Sequence, residues 1–545
     1  MTLACAAVIG RLTQLQVLAP DRYTALGVSQ RTAAVALPAD RGSIFDRNGH
    51  ELALSIEQQT VWADPRLVTD PAGAAAELAP VLGADAAVLT AKLQTKGAFV
   101  YLARKVDDKV AETVESLELD GVFLVDEPKR FAPSGGLARS VIGSVGLDNN
   151  GLSGLEQRFE DRLTGDPGEI VFERAPDGRT IPVGRHHVTP AARGDDLVLT
   201  IDRSMQFEAE RALAERIAEV DAEGGMAVVM RPDSGEILAM ANVTRDEESG
   251  EIAPSAANMA VTNVFEPGSV NKVITIAGAL EEGMVNPDTR YEVPDNLQVS
   301  VHRFSDHDPH PITSWTVGEI LQHSSNIGTI MIAQQLGKDR IDQYLRQFGF
   351  GSKTALGFPG EPRGLLLDPD EWAGTSIGSI PIGQGISVTA LQMLLAYNTI
   401  ANGGIYVAPR LVHATVDGAG EQQPAAPSER HRVVSERTAA QVNHMLAKVV
   451  SDGTGTAAAI DGYTVAGKTG TARKPAENAR GYEQGAYIAT FAGYVPAESP
   501  ELAIIVVIDE PRSGIYTASQ VSAPVFARLA QYGLRVFRIP PASGP

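Results

Sequence analysis

The sequence predicts an α+β protein, in which an antiparallel sheet flanked by helices is assembled from strands far apart in the chain and is preceded by a β-rich platform. Three observations predict it. "GGMAVVMRPDSGEILAMAN" reads as two apolar strands around a turn at Pro232 to Gly235, and "AYIATFAGYVPAESPELAIIVVIDEP" near the end reads as two more around a Pro-rich turn. Between these pairs the apolar residues recur at helical spacing, so strands from both ends of the region close one sheet and the helices cover it. Ahead of it, residues 30–195 mix short strand patterns with Ala-rich helical stretches.

At 545 residues the chain exceeds one ordinary core. The segments read as a remnant of an N-terminal membrane anchor with its juxtamembrane stretch over 1–29, a non-catalytic platform over 30–195, a catalytic domain over 196–537 and a tail over 538–545. "MTLACAAVIG" is apolar but stops at Arg11, short of the roughly 20 residues that cross a bilayer. It lacks the basic start of a cleaved signal peptide, so it reads as the end of a membrane helix whose first half is absent. In the platform, "RGSIFDRNGHELALS" predicts a hairpin at Asn48-Gly49 and "GEIVFERAPDGRTIPVG" another at Asp177-Gly178, with helices over "DPAGAAAELAPVLGADAAVLTAKLQTK" between them. "GDDLVLTIDRSMQFEAERALAERIAEV" predicts a short strand and a long amphipathic helix, and "DGAGEQQPAAPSERH" a polar loop inside the catalytic domain.

Charge and cysteine usage exclude several functions. With 46 basic and 67 acidic side chains the net charge is -21, which repels a nucleic-acid backbone. The single cysteine, Cys5, excludes an internal disulfide framework and a multi-cysteine metal site.

Chemistry concentrates in three places. In "FEPGSVNKVITIAGALEEG", Ser269 and Lys272 lie three residues apart at the mouth of a helix and share its face. A serine hydroxyl needs a base to become a nucleophile, and a lysine amine serves as that base once burial or a second cation lowers its pKa. In "LQHSSNIGTIMIAQQLG", Ser324 is placed to relay a proton and the Asn326 amide to hydrogen-bond a substrate amide. In "VAGKTGTARK", read as a strand edge, Lys468 supplies a second cation, Gly470 admits a substrate backbone, and the Thr469 and Thr471 hydroxyls suit a carboxylate. Each pattern alone also fits a helix cap or an ordinary turn. "HRFSDHDPHP" gathers His302, His307 and His310 with Asp306 and Asp308, the residue types of a divalent-metal site, although a Pro-containing loop of the substrate groove is the simpler reading. His186-His187 reads as a solvated loop pair and "MLLAYNTIANGG" as core. No cofactor or metal is required by this chemistry.

Ser269-x-x-Lys272, Ser324-x-Asn326 and Lys468-Thr469-Gly470, in that order and spacing, resemble the motif triple of penicillin-binding proteins and β-lactamases. With "RGSIFDRNG", "GLSGLEQRFEDRLTG", "GQGISVTALQM" and "DGTGTAAAIDGYTVAGKTGTA", the chain resembles a class B penicillin-binding protein over nearly its whole length, and "FEPGSVNKVITIAGALEEGMVNPDT" is similar to the septal, cell-division type. The resemblance implies a penicillin-binding-protein/serine β-lactamase-like transpeptidase domain behind a pedestal of the dimerisation type. It implies that Ser269 attacks the penultimate D-Ala of a stem peptide, with Lys272 as general base and Ser324 as relay to the leaving D-Ala. Asn326 would contact substrate and Lys272, Lys468 would tune the field, and Thr469 and Thr471 would hold the terminal carboxylate. The oxyanion hole would be the N–H groups of Ser269 and Thr471.

The implied partners are stem peptides, as D-Ala-D-Ala donor and amine acceptor, β-lactams as inhibitors, a SEDS-type glycosyltransferase with other division proteins, and the bacterial cell membrane, with the catalytic domain outside the cytoplasm. Asn271 departs from the family's usual residue and is expected to alter the pocket wall. Rival readings are an elongation-type transpeptidase, a D,D-carboxypeptidase or a β-lactamase, the last disfavoured by the platform and the missing deacylating base. The rival of another class is a β-lactam sensor or idle division scaffold.

Overall fold

The computed structural model describes residues 2–14, 32–37, 39–173, 186–476 and 481–541. The Asp177-Gly178 turn and most of the presumed anchor segment lie outside the described residues. The N-terminal helix is Thr2–Thr13, and among the described residues no helix is long and apolar enough to cross a membrane.

The strands, in chain order, are β1 (Thr32–Leu37), β2 (Ile44–Phe45), β3 (Glu51–Ala63), β4 (Val100–Val106), β5 (Val122–Phe131), β6 (Gly168–Glu173), β7 (His186–Thr189), β8 (Asp196–Leu199), β9 (Gly224–Met230), β10 (Ile237–Arg245) and β11 (Ile252–Pro254). They continue with β12 (Arg290–Val293), β13 (Asn296–Val299), β14 (His302–Ser305), β15 (Thr313–Thr316), β16 (Ile405–Val407), β17 (Val412–Val416), β18 (Gln422–Pro424), β19 (Arg430–Arg432), β20 (Ala466–Pro475), β21 (Tyr482–Val495) and β22 (Leu502–Asp509).

The central sheet has six strands in the order β11-β10-β9-β22-β21-β20, so the two predicted strand pairs do meet, through the antiparallel contact of β9 with β22. Both faces of these strands are buried, which is why their sequences are continuous apolar runs. Met226, Val228 and Met230 of β9 face one core with Ile505 and Val507 of β22. Ala227 and Val229 face the other with Ile504 and Val506. The first core is filled by the helices Lys272–Glu281, Asn326–Leu336, Ala390–Ala401 and Glu436–Asp452, and the second by Arg203–Val220 and Ala523–Val536. "DGAGEQQPAAPSERH" is not wholly loop. It supplies β18, which extends β17, and β19, which pairs with β16, because edge pairing needs only backbone groups and not apolar side chains. His186-His187 likewise opens β7, paired with β6, in place of the predicted loop.

A second sheet runs β18-β17-β8-β2-β3-β4, with β5 on β3. Its parallel pairing of β2 with β8, Ile44 opposite Leu197, makes one continuous sheet of the platform and the catalytic region. The residues of "RGSIFDRNG" explain that join. Gly42 is mandatory because a Cβ there would lie 2.0 Å from the Asp195 carbonyl oxygen. Asp46 is fully buried and accepts backbone N–H bonds from Asn48, His50 and Arg203, while Asn48 donates to Asp202 at 3.0 Å. Arg41, 2% exposed, donates to the Glu156 carboxylate at 2.6 Å and to its carbonyl at 2.8 Å, and Arg130 reaches the same carboxylate at 2.7 Å. This ties the signature to Glu156 in "GLSGLEQRFEDRLTG".

Truncating Glu156 removes the carboxylate that two buried guanidinium groups share, leaving Arg41 the single ion pair with Glu160 and Arg130 the Gly42 carbonyl. Glu156→Ala is expected to destabilise the platform by about 3–5 kcal/mol, read as a lowered midpoint in urea denaturation.

Candidate active site

The chain enters the site through Pro267-Gly268, where Gly268 has φ +59° and leaves only 3.3 Å between a Cβ and that of Ala472. A 3-10 turn, Gly268–Asn271, follows and runs directly into the Lys272–Glu281 helix. Ser269 is half-buried on this turn, and among the described residues its hydroxyl makes no hydrogen bond. Three buried bonds anchor the turn. Gly268 N–H donates to Gly383 O at 3.0 Å, Asn271 Nδ2 to Ile380 O at 2.8 Å, and Tyr397 Oη to Val270 O at 2.9 Å. Asn271 is therefore wholly interior and does not line the pocket wall, contrary to the expectation for this departure. Tyr397, read from sequence as core filler, is core and also a tether of the Ser269 turn.

Lys272 is 0% exposed, since every residue from Lys272 to Leu280 is buried among neighbouring helices. Its amine donates to the Ser324 carbonyl and, at 3.3 Å, to the Ser324 hydroxyl. Burial lowers its pKa from 10.5 to about 7, against the opposing pull of the Asp306 carboxylate. Ser324 stands in the left-handed region at φ +60°, a strained conformation for a residue with a Cβ. Asn326 does not reach Lys272 as the resemblance implied. Its amide donates to Ser305 O at 2.9 Å, because its backbone is drawn toward Asp306 at the start of the Asn326–Leu336 helix.

β20 is the terminal strand of the central sheet, so one of its edges has no strand partner in that sheet. Its Gly470 lies against the Ser269 turn, where a Cβ would be 3.1 Å from both the Pro267 carbonyl oxygen and a Val270 methyl. Lys468 is fully buried, and burial first, then the nearby Lys272, holds its pKa well below the usual lysine value. Its amine donates to Thr469 O at 3.1 Å. Thr469 shares a 2.8 Å hydroxyl contact with Thr454, and Thr471 Oγ1 accepts the Ala518 N–H at 3.0 Å, leaving the Thr471 hydroxyl proton to donate outward.

The structure thus gathers Ser269, Lys272, Ser324 and the 468–471 edge. Sequence reading missed Thr454, Tyr397 and the true place of Asp306. Asp306 was visible only as one of several acidic and histidine residues in a loop. Among the described residues the metal-type grouping is Glu223, Asp509 and Glu510, already crossed by Lys474, and not His302, which opens β14 in place of the predicted loop, with His307 and His310.

Residues 225–531 match the penicillin binding protein transpeptidase domain and residues 36–199 the penicillin-binding protein dimerisation domain. The chain is 34% identical to the penicillin-binding protein PbpB of Mycolicibacterium smegmatis, over 98% of this chain and 89% of that protein. It is 34% identical to the peptidoglycan D,D-transpeptidase FtsI of Escherichia coli K12, over 99% of this chain and 91% of that protein. A crystal structure of penicillin binding protein 3 from Mycobacterium tuberculosis, complexed with aztreonam, superposes with a TM-score of 0.73 at 31% identity, covering 94% of this chain and 98% of that one.

Burying a lysine amine costs stability, because its pKa falls from 10.5 to about 7 on folding. Between about pH 7 and 10.5 the unfolded chain holds a proton that folded Lys272 has released, so this group makes stability rise with pH across that window. Lys272→Met is expected to raise stability at neutral pH by about 0.5–2 kcal/mol and to remove that slope, as measured by denaturant titration at several pH values.

Proposed function

The chain belongs to the class B penicillin-binding proteins, and on that footing we propose that it is a serine D,D-transpeptidase of septal wall synthesis, cross-linking peptidoglycan stem peptides through Ser269 and acylated there by β-lactams. One observation carries this reading. A wholly buried amine titrating near neutrality, Lys272, lies one helical turn after a half-buried serine and is bonded to a second serine, Ser324.

Neutral Lys272 takes the Ser269 hydroxyl proton as Oγ bonds to the carbonyl carbon of the donor's penultimate D-Ala. The charge on the carbonyl oxygen is met by the N–H groups of Ser269 and Thr471, fixed donors that need no reorganisation. Protonated Lys272 passes its proton through Ser324 to the departing D-Ala nitrogen as the C–N bond breaks, leaving an ester on Ser269 and a neutral amine. The acceptor stem's amine then attacks the ester carbon. Its proton returns through Lys272 to Ser269 Oγ as the C–O bond breaks, which restores the enzyme. The donor peptide runs along the open edge of β20 past Gly470, with its terminal carboxylate at Thr469 and Thr471 under the field of Lys468, and Asn326 holds its amide.

The septal assignment is supported by the relatives named PbpB and FtsI. Glycan polymerisation falls to a SEDS-type partner among the division proteins, and the platform is the surface offered to them. The site faces the outside of the cytoplasmic membrane, to which an N-terminal anchor ties it.

Intact-mass spectrometry with a penicillin tests the reading. The wild type is expected to carry one long-lived adduct that Ser269→Ala lacks; intact drug without an adduct would favour an idle scaffold, and hydrolysed drug a hydrolase. The acylation rate should climb through an acid limb near pH 7 as Lys272 loses its proton.

A further inference from the structure

We propose that Asp306, clamped by His310, is a positioning residue for acyl transfer: its carboxylate fixes the Ser324-Ser325-Asn326 turn so that Ser324 faces Lys272. The inference rests on the reading of Ser269, Lys272 and Ser324 given above and deepens it.

Asp306 sits just past β14, on a different element from the turn it holds, with its side chain 6% exposed. One oxygen accepts the backbone N–H of Asn326 and, at 3.0 Å, that of Ile327. The other accepts the Ser325 hydroxyl at 2.7 Å and faces His310 Nε2 at 3.0 Å. The first N–H groups of a helix have no partner within it and carry its positive end, so an anion here binds strongly. Ser325 is the cap of the same helix, its hydroxyl accepting the Gly328 N–H at 2.9 Å. Asp306 therefore fastens three consecutive residues, Ser325 to Ile327, immediately after the strained Ser324. That grip holds Ser324 in its left-handed conformation, with carbonyl and hydroxyl both turned to the Lys272 amine.

His310 completes the clamp. Its Nδ1 faces the Pro311 carbonyl at 2.7 Å while Nε2 faces Asp306, so both ring nitrogens meet oxygen acceptors and only the doubly protonated ring satisfies both. These bonds outweigh the opposing effect of burial and raise its pKa. The ring lies 4.7 Å from Trp315, which in turn stacks on His323, the neighbour of Ser324. A carboxylate whose oxygens are met by four N–H and O–H donors acts as an anion toward those donors and not as a metal ligand. His307, at 78% exposure, stands outside the arrangement. The charged groups acting on Lys272 are Asp306, which favours its protonated form, and Lys468, which shares its buried space.

The test is the rate of penicillin acylation of the full chain across neutral pH, with thermal melting alongside, for wild type, Asp306→Asn and His310→Gln. Asp306→Asn is expected to lower the plateau rate about 10- to 100-fold and to move the acid limb to lower pH, because the buried amine loses its anionic neighbour. His310→Gln keeps the carboxylate and removes the cation, so it should move the limb to higher pH with a smaller loss of rate; it carries the test if the asparagine variant fails to fold. Lower melting temperatures with wild-type rates and an unmoved limb would make Asp306 a structural cap and overturn the proposal. A wild type that forms no adduct would instead defeat the acyl-enzyme reading beneath it.

Discussion

Placing a lysine amine inside an apolar helix core is the constraint from which the rest of the catalytic region follows. Charged Lys272 would be costly there, so burial lowers the amine's pKa to about 7 and it gives up its proton far more readily than an exposed lysine. Such an amine must have partners, and Ser324 provides them with a carbonyl and a hydroxyl. Ser324 can do so only in a backbone conformation that side chains avoid, which requires a grip from outside, and Asp306 at the following helix start supplies it. A second buried lysine, Lys468, tightens the constraint, since two amines in one dry space cannot both hold a charge cheaply.

The same burial dictates how the surrounding elements approach. The Ser269 turn must sit close to a sheet edge, and glycine permits it on both sides, Gly268 beneath Ala472 and Gly470 against Pro267 and Val270. Interior hydrogen bonds from Asn271 and Tyr397 leave the turn little freedom to shift. Ser269 is the exception: half-buried and free of hydrogen bonds among the described residues, its hydroxyl is uncommitted. A rigid frame around one uncommitted group is what electrostatic preorganisation requires.

The platform belongs to the same mechanical unit. Because β2 pairs in parallel with β8, the platform sheet is continuous with strands that lead into the Arg203–Val220 helix under the central sheet. The buried cluster of Arg41, Arg130 and Glu156 fixes the platform end of this join, and Asp46 with Asn48 fixes the catalytic end. A partner docked on the platform would therefore act on a surface covalently and topologically continuous with the region that carries the site.

The sequence by itself determined the elements whose physics is local. Apolar runs marked β9, β10, β21 and β22, Asn48-Gly49 marked its hairpin, and three short motifs marked side chains that the fold brings together around Lys272. Polar strands such as β18 and β19 were hidden, because edge pairing is made by backbone groups that every residue carries. Only the tertiary structure decided which groups meet. That Lys272 answers to Ser324 and not Asn326, that Asn271 turns inward, and that Asp306 serves a helix start some twenty positions along the chain all depend on packing between elements distant in sequence. A residue's type fixes what bonds it is able to make, but its neighbours in space decide which of them it makes.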